Sequence, residues 1–393
     1  MQLQMNTTLR LAVMTLTVIG TACETAGLRP SAFVSMLGTD TVTVESFARS
    51  NSRIEGQLVT RLPYTHRIRY AADLNPDGTI SHLEAETSTP DENAQGPASQ
   101  SWTVSITDGT ATVERVGGQN PGTNSFEIGP GAIPTLGRAS IAMFAFEQAM
   151  RQAEASGVEE HPVELVYPTR PQPVNNEITR FSGDTVAIVY FGAPLLGWGD
   201  GNGNIQGADG TSTTMDAVTE RVAALDVDGL AASWAGMDAS GEGIGVPSPG
   251  ATAARTIHGA AIEVSYSQPA KRGRDIWGTL VPHDGVWRTG ANAATILTTG
   301  SDLVVEGAEL PAGSYTLWST YSEDSQQLII NSETGQWGTA YNAANDFTTV
   351  EMTKSELPGM LERFTISLEE TAEGGMLHLD WDDARFSVDI RVP

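Results

Sequence analysis

Apolar and polar residues alternate with period two through most of this chain, and a single stretch replaces that pattern with a helical one. The clearest examples are Phe364/Ile366/Leu368, Leu377/Leu379/Trp381 and Phe386/Val388/Ile390/Val392 near the end. Alternation also marks Thr41 to Glu45, Arg53 to Val59, Arg67 to Tyr70, Ile80 to Glu86, Trp102 to Ile106 and Thr110 to Glu114. Strands point successive side chains to opposite faces, so such a chain must build sheets with one face buried. Asn75-Pro76-Asp77-Gly78 and Asp108-Gly109 are hairpin turns. Further strands are expected at Val163 to Tyr167, Thr185 to Phe191 and Ala217 to Val222. Ile141 to Ala155 contains neither Pro nor Gly and stops at Gly157, which predicts a helix.

The expected class is mainly β: an N-terminal antiparallel meander or partly open barrel with one helix, then a C-terminal β-sandwich. The expected divisions are a signal peptide (1–22), a tether (23–40), an antiparallel β domain with one helix (41–230), a Gly/Ala/Ser/Pro linker (231–252) and a sandwich domain (253–393). Pro247-Ser248-Pro249-Gly250 is the clearest boundary. Asp382-Asp383 is read as a turn between two of the last strands.

Charge narrows the partners. Twenty-two basic residues face 48 acidic ones, for a net charge of −26, and only Lys271 and Lys354 are lysine. No basic stripe is available to neutralise phosphates, so no nucleic-acid partner is expected. One cysteine rules out a disulfide framework and a zinc cluster. That cysteine, Cys23, follows Arg10, an apolar run from Leu11 to Ile19, and the small residues Gly20, Thr21 and Ala22. This is the pattern of a secretory signal. It resembles a bacterial lipobox, with Gly20 standing where a leucine is usual. The resemblance implies acylation of Cys23, a membrane partner through that anchor, and residence in the cell envelope. Glu24 after the cysteine implies sorting to the periplasmic face of the outer membrane. Several acyl chains at about 0.8 kcal/mol per buried CH₂ would hold the protein there.

Most catalytic motifs are missing. There is no P-loop, no His-Glu-x-x-His and no Gly-x-Ser-x-Gly elbow. Asp200, Asn202 and Asn204 imitate the start of a calcium loop, but Ile205 and Thr211 occupy its sixth and twelfth positions, so a turn between two strands is expected. His378, Asp380 and Asp382 share a strand face and could bind a metal, although the solvated side of a strand is the commoner use of such a face. No metal and no cofactor is expected.

Residues 271–295 stand out. This window places Arg272, Arg274 and Arg288 beside Trp277 and Trp287, with Asn292 and Thr295 close behind. Guanidinium groups beside indoles offer stacked, directed donors, and Arg, Trp, Asn and Thr together suit a sugar or carboxylate pocket. The candidate ligand-binding residues are therefore Arg274, Trp277, Trp287, Arg288, Asn292 and Thr295. The same residues could equally pin loop carbonyls and fill a core.

From about Ala261 to Val392 the sequence resembles the bacterial domain-of-unknown-function family 2911. The resemblance rests on Tyr266-Ser267-x-Pro269, on Gly273-Arg274-x-Ile276-Trp277-Gly278-x-Leu280-Val281-Pro282, and on Val286-Trp287-Arg288-Thr289-Gly290-Ala291-Asn292-x-Ala294-Thr295. Leu310-Pro311-Ala312-Gly313-x-Tyr315-Thr316-Leu317, Asn331 and Gln336-Trp337-Gly338 continue it. Gln268, His283 and Gln326 depart from residues usual in the family. The family carries no established activity, so the resemblance implies a module and not a reaction.

Three functions stay open at this level. The first is a lipid-anchored envelope protein binding a small polar ligand, such as a carbohydrate, at the Arg/Trp/Asn cluster. In that version the meander domain could separately cradle an acyl chain. The second is an envelope hydrolase or isomerase using His283 or His258 as base, with Arg288 stabilising charge and Asp284 orienting His283. The third is a non-catalytic assembly lipoprotein. A solvent-reached hollow beside Trp287 would favour the first over the third.

Overall fold

The computed structural model describes residues 30–89, 100–118, 120–137, 142–180, 185–190, 193–213, 215–283, 285–322 and 324–393. The expected signal peptide, Cys23, the start of the tether and Asp284 lie outside the described residues. The molecule is mainly β, with one sheet of fifteen strands followed by sheets of seven and four among the described residues.

The large sheet is built outward from its middle. The strand Ser31–Leu37 pairs antiparallel with Asp40–Arg49 on one side and with Val218–Val222 on the other. Consecutive hairpins extend one arm as far as Gly122–Glu127. The other arm runs back from Val218–Val222 to Glu160–Val166 and closes with the short parallel strand Ile133–Pro134. Both arms curve around α1 (Met143–Ser156), which the sequence reading placed correctly apart from its first residues. Phe144, Met150 and Ala153 of α1 pack with Phe33, Leu58, Leu83, Ile178 and Ile188. The apolar gap left beside the helix is about 20 Å³, room for one water-sized sphere, so protein fills this concavity.

A tethering role for residues up to 40 does not fit the central position of Ser31–Leu37. That strand is covered on both faces, by the α1 core through Phe33 and by a second cluster that Val34 joins. Strands buried on both faces lose alternation, which is why the period-two search passed over it.

The expected linker is also corrected. Residues 227–240 form a second helix, α2 (Val227–Ser240), capped by the Asp226 carboxylate accepting from Gly229 N–H at 2.9 Å. Val227, Ala231 and Trp234 lie on Val44 and Val59 of the sheet's outer face. Arg61 stacks over Trp234 at 5.4 Å, and Asp238 accepts from Thr65 N–H. The N-terminal domain therefore has two α-helices among the described residues. The small residues that made α2 look like a linker let it lie close to the sheet.

Residues 250–391 form the sandwich. One sheet orders Gly250–Ile257, Ala260–Ser267, Thr295–Thr299, Gly313–Tyr321, Gln326–Asn331 and Asp346–Glu351, with Val286–Trp287 added to Gly313–Tyr321. The other consists of Ala308–Leu310, Leu303–Val305, Gly375–Arg391 and Thr353–Glu370. Trp287, Trp381, Phe364, Tyr321 and Phe386 fill the space between them, with Trp287 and Trp381 stacked at 5.8 Å. Asp382-Asp383 is not a turn. Asp382 has φ +55° and lies inside the single strand Gly375–Arg391, opposite the extra residues by which Thr353–Glu370 shifts its register on either side of Leu361.

Candidate functional site

Two neighbouring charges decide how the domains meet. The turn at Gly38-Thr39 of the large sheet docks on the loop Lys271–Arg274 of the sandwich. Thr39 N–H donates to Arg272 O at 3.0 Å, and the Arg272 guanidinium pairs with Asp40 at 2.5 Å. Gly38 has φ +62°, and a Cβ there would stand 2.3 Å from Arg272 O, so the approach requires glycine. Arg274 donates to the Asp216 carboxylate, to Ala270 O and to Lys271 O. Two of the three arginines in the conspicuous window thus serve the contact between domains.

Beside this contact lies a cleft of about 910 Å³. The N-terminal domain lines it with Met36, Thr211, Asp216 and Val218, and the sandwich with Leu280, Trp287, Arg288, Trp318, Thr339 and Tyr341. A recess of about 60 Å³ shares Asp216, Arg274, Leu280, Trp287 and Arg288 with it. Trp318 packs against Tyr341 at 5.0 Å, and Tyr341 donates to Asp346 at 2.6 Å, which fixes the aromatic wall.

Arg288 is one of two candidate residues, with Trp277, that keep a buried nitrogen without a partner. It is half-buried, its Nε is shut off from solvent without a hydrogen-bond partner, and no ion pair to it forms among the described residues. Burial lowers its pKa, and the Asp216 charge acts in the opposite sense. Its stem rests on Gly338, where a Cβ would come 2.5 Å from Arg288 Cδ and 2.6 Å from Asn292 O. The glycine of Gln336-Trp337-Gly338 therefore makes room for the arginine. Asp216 has φ +51°, and its Oδ1 is buried without a partner while Oδ2 accepts from Arg274. Its pKa is pushed up to about 6, chiefly by burial, with Arg274 opposing.

The other candidates divide. Trp287 lines the cleft yet is only 6% exposed, and most of its ring belongs to the aromatic core. Trp277 packs on Tyr321 and Phe386 at 5.1 and 5.0 Å. Asn292 Nδ2 donates to Ser248 O at 3.3 Å, holding the interdomain segment. Thr295 is fully buried and donates to Thr289 O at 2.7 Å.

Neither His258 nor His283 is among the residues that line the cleft. His258 occupies a hairpin turn, where its Nε2 lies 3.0 Å from Thr371 O. His283 is exposed and packs against Gly278. The His378/Asp380/Asp382 face is not a solvated one. His378 and Asp380 are buried, His378 Nδ1 meets Ser387 at 2.8 Å, Arg385 grips Asp380 with two bonds, and Lys271 pairs with Asp382 at 2.5 Å. These groups satisfy one another, and no group of three His, Cys, Asp or Glu side chains is placed to hold a metal among the described residues.

Sequence reasoning missed Asp216, Trp318, Gly338 and Tyr341. Gly338 had a visible signal in its conserved-looking Gln-Trp-Gly setting within the family resemblance. Asp216 had none, because it belongs to the other domain.

Fold and site together define a two-domain β-protein with a cleft where its domains meet. Residues 248–390 match the model of the family described as "Protein of unknown function (DUF2911)", so the C-terminal third is the module that the resemblance implied. No curated protein matches. Among solved structures, the chain is similar to a β-barrel-like protein of domain of unknown function DUF1849 from Brucella abortus. That likeness has 14% identity, a TM-score of 0.34, and covers 50% of this chain and 96% of the other. It is also similar to a DUF1089 family protein from Pseudomonas aeruginosa, at 11% identity and a TM-score of 0.31, covering 42% of this chain and 89% of that one. At that level neither likeness bears on function.

Proposed function

We propose that the protein is a lipid-anchored envelope protein that binds a small anionic, polar ligand in the cleft between its domains. Arg288 is the anchoring charge. The observation that carries this reading is that the half-buried Arg288 lines a 910 Å³ hollow and forms no ion pair among the described residues. A desolvated, unpaired guanidinium is costly, and a carboxylate or similar oxyanion offers the paired acceptors that relieve it. Trp287, Leu280 and Tyr341 supply apolar surface around that charge, as small-molecule sites require. The anchor at Cys23 and the outer-membrane address rest on the sequence pattern alone.

A thermal-shift screen of the full chain in detergent, against monocarboxylates, sugar acids and neutral sugars, tests the site. A ligand held at about a hundred times its Kd adds about 2.7 kcal/mol, which moves the midpoint by about 5 °C or more. Acids are expected to produce that shift, and Arg288→Ala to abolish it while leaving the ligand-free midpoint in place. An Arg288→Ala protein that cannot fold, or one that still responds to acids, would overturn the proposal. Palmitate labelling that disappears in Cys23→Ser is the expected result for the anchor, and equal labelling of both proteins refutes it.

A further inference from the structure

The side chains that the cleft leaves open are mostly apolar, and this narrows what can fill it. Trp287 turns into the aromatic core, and Val286 and Arg288 on either side of it both line the cleft. Side chains two residues apart in an extended segment stand about 7 Å from each other on one face. Val286 is 40% exposed, Pro282 is exposed and Leu280 is half-buried. Met36 and Val218 of the large sheet, both half-buried, add apolar surface from the other domain. Apolar side chains gathered open in a hollow mark a surface that a ligand covers.

The polar part of the lining is sparse. Arg274, Arg288 and Asp216 are its charged residues among those described, and Arg274 and Asp216 pair with each other. One cation, Arg288, is left for an anion. No Asn, Gln, Glu, His or Lys lines the cleft among the described residues. The Tyr341 hydroxyl donates to Asp346, and that of Thr39 donates to Arg272 O. A sugar acid brings several hydroxyls, each of which loses water on entry and needs a partner in return. The lining has one free charge and few neutral groups to offer them, whereas an apolar body needs none.

Resting on the binding reading above, we infer that the cleft takes an amphipathic monocarboxylate, an aliphatic acid of the fatty-acid class. Its carboxylate meets Arg288, which answers one unpaired positive charge with one negative. Its chain lies along Val286, Leu280 and Pro282 and reaches Met36 and Val218. The ligand touches both domains, so its affinity depends on the Gly38–Arg272 contact that holds them together.

Isothermal titration of the full chain with decanoate, hexanoate and galacturonate tests this. All proteins are measured in the same non-ionic detergent. Partition of decanoate into micelles then lowers its apparent affinity for every variant alike, and it works against the expected order. Each methylene that leaves water for an apolar surface adds up to about fourfold in affinity. Decanoate, with four more methylenes, is therefore expected to bind at least tenfold more tightly than hexanoate, and galacturonate to give no measurable heat. Val286→Asp should weaken decanoate at least tenfold by setting a negative charge beside the Arg288 site. Val286→Thr keeps the shape and the strand propensity, serves as the second variant should the aspartate disturb folding, and should weaken decanoate at least threefold. Galacturonate binding as tightly as decanoate, equal affinity for the two aliphatic acids, or decanoate affinity unchanged in both Val286 variants would overturn this inference while leaving the binding reading intact. Binding of none of the three acids, or decanoate binding that survives Arg288→Ala, would overturn both.

Discussion

The concavity of the large sheet and the cleft between the domains both enclose buried acid, and they treat it in opposite ways. Inside the sheet, Glu45 accepts from Tyr70 O–H at 2.5 Å and from the first free N–H groups of α1, at 2.5 Å from Met143 and 3.4 Å from Phe144. It caps the helix from a neighbouring strand, because the N-cap residue Ala142 has no side chain able to do so. Glu147 of the same helix is paired with Arg221 at 2.6 Å. The helix fills the hollow, and its acids meet partners from the same chain. In the cleft, by contrast, about 910 Å³ remains open, and Arg288 on its wall forms no ion pair among the described residues. The difference separates architecture from binding capacity more reliably than residue type does. Arg274 and Arg288 look alike in sequence, but one completes a domain contact and the other lines the cleft without an ion pair among the described residues.

The largest expected effect breaks the filled side of this comparison. Phe144 is fully buried against Tyr70, with ring centroids 4.6 Å apart. Phe144→Ala should destabilise the N-terminal domain by about 3–5 kcal/mol in denaturant unfolding. A loss below 1 kcal/mol would mean that the helix does not carry the core.

Next comes a pH effect on Glu45. Burial pushes its carboxyl up to about 7 from an ordinary 4.5, against the pull of its three donors. The folded state therefore holds a proton between those values that the unfolded state has already released. This contribution is most favourable below about pH 4.5, falls as pH rises to about 7, and is level above that. The whole fall is about 3 kcal/mol. Subtracting the stability profile of Glu45→Gln from that of the native chain should reveal this slope, and parallel profiles would refute it.

The domain contact ranks third. Gly38→Ala forces a Cβ against Arg272 O in a left-handed backbone, at a cost of about 1–3 kcal/mol. Small-angle scattering should show a larger radius of gyration, and ligand affinity should fall with it. The smallest effect is the most informative. Arg288→Ala removes a half-buried, unpaired charge, so without ligand it should change stability by less than about 1 kcal/mol. A loss of several kcal/mol would show that Arg288 is structural after all and would erase the contrast between the two hollows.

Much of the fold was legible because most strands have one buried face. The hairpins of residues 40–117 and the alternating runs after 364 announce themselves in this way. Three features did not. Ser31–Leu37 is covered on both sides, α2 is made of small residues anchored by Trp234, and Asp382-Asp383 continues a strand where two acidic residues suggest a turn. The site was legible in part. The Trp-Arg-Thr-Gly-Ala-Asn run marked the right segment, yet most of that segment holds the module together. What gives Arg288 its significance is Asp216, seventy-odd residues earlier and in another domain, and local periodicity carries no information about such meetings.

The position of Ser31–Leu37 also governs how the chain can mature. It is the first strand among the described residues and it sits in the middle of the sheet, bonded to Val218–Val222. That pairing must wait until the ribosome has delivered more than half of the polypeptide. Half of the sheet is then assembled beside a strand with an unsatisfied edge, so folding is dominated by distant pairings and runs slowly. Until that pairing forms, the open edge is a template for aggregation.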